Sequence, residues 1–225
     1  MSLSTFRHFV VFSELLAAIV GTIYFFKYRH TSLKYFLFLL WYITLTEFTA
    51  WYVIEKEVLS LIFLNENGIK YNLWMYNLLR FITFNTLFFI YYNYLNTKIF
   101  KKWIKIFVII YIGIYIINWS FIQSFIWEKS EVPKILGSIF LIITILFYFI
   151  ELLKLEKIVL FHKKLLFWIS IGLLLFYTGT IPFALKYNTY MLIPGIHKLF
   201  LIIWILALIM YLIFTFGFIW SKKEE

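Results

Sequence analysis

Seven apolar runs, at about residues 8–27, 35–54, 71–95, 106–126, 135–153, 165–186 and 199–220, fill almost the whole of this 225-residue chain, and charged links separate them. A hydrocarbon core about 30 Å thick takes roughly 20 helical residues at about 1.5 Å each, so every run is long enough to cross. A membrane barrel would show alternating segments of about ten residues, and stretches such as Ile106 to Ile117 have no period of two. The expected fold is an all-α membrane protein, a single seven-transmembrane-helix bundle with short links. Composition agrees: 64% of residues are hydrophobic and 14% charged, outside the range of a water-soluble domain. The first run contains Glu14 and has no small-x-small cleavage signature, so it reads as a retained span.

Orientation follows from the basic residues of the short links. Thirteen of the twenty-one, from Lys27, Arg29 and Lys34 through the 98–105 and 154–164 lysines to Lys222 and Lys223, fall on one side. Seven fall on the other. The excess marks the cytoplasmic side, which puts the N-terminus outside and the C-terminus in the cytoplasm of a bacterial inner membrane. The net charge of +10 then belongs to topology and anionic lipid, and calls for no nucleic acid. On the outer side, the long link at 55–70 is a candidate lid, and Pro194–Gly195 marks a turn.

Three charges fall well inside the runs, and each needs a partner, a proton or water. Counted at about 1.5 Å per residue from the outer ends, Glu14 lies roughly 9 Å deep, Glu47 roughly 10 Å and Arg80 roughly 13 Å. Their common depth predicts a buried Glu–Arg–Glu cluster, with Arg80 offering its planar fork of donors. Asn77 and Thr83 stand three residues either side of Arg80, and Asn118 and Tyr177 bring polar groups from the fourth and sixth runs. Two readings follow. The cluster either lines an outer-facing polar pocket for a small molecule or a proton, or acts as polar glue between helices. Two carboxylates against one guanidinium leave a negative charge for a proton or a cation to meet, which favours the pocket.

Several classes are disfavoured. With no Cys and no Asp, and with its four histidines scattered, the chain offers no metal site and no recognisable catalytic constellation, so no enzyme is expected. Covalent retinal would need a lysine in the seventh run, and Leu199 to Trp220 contains none. No cofactor is expected. A seven-helix sugar transporter with a Pro–Gln loop is disfavoured by the lack of any Pro–Gln pair and of a matching motif in the two halves.

The segments Phe167-Trp168-Ile169-Ser170-Ile171-Gly172, Tyr177-Thr178-Gly179-Thr180-Ile181-Pro182-Phe183 and Tyr211 to Lys223 resemble the uncharacterised small seven-helix integral membrane proteins of the Bacteroidota. The resemblance covers mainly the last two runs. It implies a companion of sensor-kinase systems and brings no catalytic residues to carry over. The expected function is a sensor or receptor-like membrane protein that takes a small molecule or proton and signals to a cytoplasmic partner such as a sensor kinase. The alternatives are a small proton-coupled transporter and a non-catalytic accessory subunit.

Overall fold

The computed structural model describes residues 3–56, 63–64, 70–128, 130–154, 158–185 and 197–223. Among them are seven α-helices: α1 Leu3–Ile23, α2 Lys34–Glu55, α3 Leu73–Tyr94, α4 Lys98–Ile117, α5 Glu131–Leu153, α6 Leu165–Leu185 and α7 His197–Trp220. Six are long and apolar enough to cross a bilayer, with α4 continuing through a π-helical turn at Asn118–Ile122. In α1 the stretch His8–Ile23 is apolar but shorter. The chain is a multi-pass membrane protein. Helices are what such sequences must form, because hydrocarbon offers no hydrogen bonds and each backbone group must find its partner within its own segment. The bilayer-facing side chains follow from the same solvent: Phe12, Ile109 and Phe121 are large, apolar and exposed.

The helices close into a ring in chain order. α1 packs on α2 and α7, α2 on α3, α5 on α6 and α6 on α7, while α3 touches α5 directly. α4 packs on α3 and α5 from outside. The inside of the ring is therefore built by α1, α2, α3, α5, α6 and α7.

At the lysine-rich end the first and last helices are tied. α1 gives way to a 3₁₀ turn at Phe25–Lys27, and Lys27 Nζ donates to the carbonyls of Phe218, Ile219 and Ser221 at 3.1, 2.8 and 2.8 Å. A cation at the last carbonyls of a helix satisfies groups that have no partner within the helix and opposes its dipole. Lys163 sits 3.6 Å over the Trp220 ring, and Lys222 N bonds Lys163 O at 2.9 Å.

Boundaries depart from expectation where charges sit on helices rather than on links. α4 starts at Lys98 and not near 106, because its lysines reach sideways from a helical backbone; Lys101 and Lys105 lie over the Tyr92 ring. α5 starts at Glu131, which places Lys134 in its first turn. Glu151, near the end of α5, accepts from Asn96 N at 2.7 Å, Asn96 Nδ2 at 2.9 Å and Thr97 N at 3.2 Å, holding the α3–α4 link. The candidate lid retains one described feature, a two-residue antiparallel ladder pairing Phe63 with Tyr71 and Leu64 with Lys70. Glu55 and Lys56 end α2, and the other residues of the link and the Pro194–Gly195 turn lie outside the described residues.

Candidate functional site

A cavity of about 450 Å³ occupies the inside of the ring. Glu14 on α1, Glu47 on α2, Arg80 and Thr83 on α3, Lys134 on α5 and Tyr177 on α6 all line it. Its remaining walls are aromatic and aliphatic, with Phe84, Phe176, Trp204 and Tyr211 among them. This combination of an apolar body and a few convergent polar groups is the ordinary make-up of a small-molecule site.

Glu14 and Arg80 both line the cavity, and each keeps one buried side-chain atom without a hydrogen bond. Glu14 is 2% exposed, and its Oε1 has no hydrogen-bond partner; Arg80 Nη1 is likewise buried and unpartnered. The hydroxyls of Thr44 and Tyr211 lie beside the Glu14 carboxyl, and the charged group near it is Glu47, not Arg80. Glu47 Oε2 accepts from the Tyr76 hydroxyl at 3.1 Å. Arg80 lies instead among the hydroxyls of Tyr111, Tyr115 and Tyr177, and its own backbone carbonyl accepts from Tyr111 at 3.3 Å. Glu14 thus has Glu47 beside it, and Arg80 on α3 has three tyrosines. A buried group left unsatisfied costs about 1–3 kcal/mol, more when it is charged. Two such groups on residues that line one cavity are poorly explained as glue.

Toward the lysine-rich end the cavity has an aromatic floor. Phe36 and Phe214 line it from below and meet edge to face, with ring centroids 5.1 Å apart. Beneath them Phe218 packs on Phe36 at 6.2 Å and on Tyr28 at 5.5 Å, and all four rings are buried. Two glycines make room. A Cβ on Gly172 would come within 2.6 Å of Phe214, and one on Gly21 within 3.0 Å of Phe218.

Of the residues expected at the site, Glu14, Glu47, Arg80, Thr83 and Tyr177 line the cavity, while Asn77 and Asn118 do not. Asn77 faces the link after α4: its Nδ2 donates to Phe125 O at 2.8 Å and Glu128 O at 2.9 Å, and its Oδ1 accepts from Ser130 N at 3.2 Å. Asn118 opens the π-helical turn of α4, outside the ring, where its side-chain amide is buried without a hydrogen-bond partner. Helix spacing had put Asn77 near Arg80, but residues three apart diverge by about 60° around a helix, enough to face different neighbours. Lys134, Trp204 and Tyr211 escaped the sequence reading. Lys134 had been assigned to a link, where a lysine needs no explanation, and the two aromatics were lost among 54 similar rings, 24% of the chain.

Among the described residues no group of three His, Cys, Asp or Glu side chains is placed to hold a metal ion. Comparison with protein-family models, with curated proteins and with solved structures returned no match for this chain.

Proposed function

We propose that this protein is a membrane sensor or receptor-like protein that binds a small molecule in the cavity that Glu14, Glu47 and Arg80 line. It crosses a bacterial inner membrane seven times, with the cavity toward the outside and the lysine-rich end in the cytoplasm. The observation that carries the reading is the pair of buried, unpartnered atoms, Glu14 Oε1 and Arg80 Nη1, on residues that line one cavity of about 450 Å³. A ligand with a donor at one end and an acceptor at the other would satisfy both.

The signal travels along α7. Tyr211 lies beside Glu14, and Trp220, about 14 Å further along the same helix, lies under Lys163 next to the carbonyls that Lys27 holds. A shift of this helix at the cavity alters the surface presented at the lysine-rich end, where a cytoplasmic partner such as a sensor kinase reads it. Differential contact with the ligand in two positions of α7 is the physical requirement.

The aromatic floor separates this reading from transport, since Phe36, Phe214, Phe218 and Tyr28 fill the route from the cavity to the lysine-rich end. Because the chain has no cysteine, a single Thr83→Cys variant reports on the cavity without background. In oriented vesicles a charged, membrane-impermeant thiol reagent is expected to modify Cys at this position from the extracytoplasmic face alone. Modification from both faces would mean that the floor opens in a transport cycle, and modification from the cytoplasmic face alone would reverse the orientation.

A further inference from the structure

Resting on the cavity reading above, we infer that the ligand is an organic ammonium compound: a protonated amine on an aromatic or aliphatic body, with a hydrogen-bond acceptor at its far end. Glu14 sets the charge of the near end. It is a carboxyl group with one oxygen buried and unpartnered, and the groups beside it are two hydroxyls and a second carboxyl group, Glu47. Among the described residues no cation is bonded to it: Arg80 stands among tyrosines, and Lys134 Nζ lies 3.4 Å from Glu131 Oε2. An ammonium brings N–H donors and a positive charge to that spot in a single group.

The surrounding rings fit the same cation. Tyr211, beside Glu14, packs edge to face on Phe214, ring centroids 5.9 Å apart. Trp204 lines the cavity one turn before Ala207 and two before Tyr211 on the same helix. Aromatic faces attract ammonium groups through the ring quadrupole, most strongly when water is kept out. They equally accept the apolar body that joins the two ends. Arg80 sets the far end. Its unpartnered Nη1 offers N–H to a carbonyl, ether or carboxylate oxygen. A free carboxylate with no amine would meet Arg80 but leave Glu14 facing only like charge, so anionic ligands are selected against.

The test uses the full chain in lipid nanodiscs and three probes built on one phenyl ring: 4-methoxyphenethylamine, 2-phenylethylamine and 3-phenylpropanoate. Binding is followed by calorimetry. 4-Methoxyphenethylamine, which has the ammonium at one end and an ether acceptor at the other, is expected to bind most tightly, with 3-phenylpropanoate at least tenfold weaker. Glu14→Gln is expected to weaken both amines at least tenfold, whereas Glu14→Asp, which keeps the acid, weakens them less. Arg80→Gln should remove the advantage of 4-methoxyphenethylamine over 2-phenylethylamine while leaving the simple amine bound. Preference for 3-phenylpropanoate, or amine binding indifferent to Glu14→Gln, would overturn the ammonium assignment. So would failure of both amines to bind. In each of these cases a copurified ligand lost on substitution of Arg80 would leave the cavity reading standing, with another ligand class.

Discussion

A buried asparagine in a membrane helix either faces a ligand or ties down backbone that the helix cannot reach, and Asn77 does the second. It is fully buried, and its side chain satisfies two carbonyls and one amide of the link between α4 and α5. Asn77→Ala leaves all three without that partner. The expected loss is roughly 2–3 kcal/mol of stability, read as a lowered unfolding midpoint in detergent, with ligand binding retained. Loss of binding at unchanged stability would place Asn77 in the cavity after all. The contrast with Arg80 shows what single residues reveal. A charge in an apolar run must be explained, so Glu14, Glu47 and Arg80 stood out in the sequence. A neutral amide on the same helix has several explanations, and only its partners choose between them. Lys134 shows the reverse case, a cavity-lining charge hidden because the helix begins four residues before the apolar run does.

At the scale of the elements, the bundle is held by small residues meeting large rings. Between apolar helices in an apolar solvent, burial from water contributes little, and close packing carries the association. Gly172 on α6 is one such notch, receiving Phe214 of α7 at the cavity floor. Gly172→Ala puts a methyl group 2.6 Å from Phe214 Cε1 and 3.3 Å from the Met210 carbonyl oxygen, so ring or helix must move. The expected cost is about 1–3 kcal/mol, seen in the thermal unfolding of the purified protein. A variant as stable as the parent would show that the two helices do not pack this closely. The helices themselves were legible from hydropathy, since nothing else satisfies a backbone in lipid. Their ends were not. Lysines at 98, 101, 102 and 105 look like a link in a hydropathy profile, yet they lie on the first turns of α4, where their long stems lead the charges out of the apolar layer.

The whole molecule is a ring of helices in chain order, with α4 outside and a charged cavity within. Short links make sequential neighbours adjacent, which much of the sequence announces. What the sequence could not give is the closure of α7 on α1, the exclusion of α4, and the neighbours of Glu14 and Arg80. Each depends on which faces of the helices meet, and the apolar runs are hydrophobic nearly all round. Those neighbours change the account most, because groups fully bonded to one another would need no ligand. Here Glu14 and Arg80 line the same cavity, and each keeps an unpartnered buried atom. Native mass spectrometry of the detergent-purified protein, wild type beside Arg80→Gln, tests this directly. A defined small-molecule adduct on the wild type that is lost from the variant is the predicted result; bare protein in both samples, with the variant merely less stable, would contradict it and make the cluster polar glue in an accessory subunit.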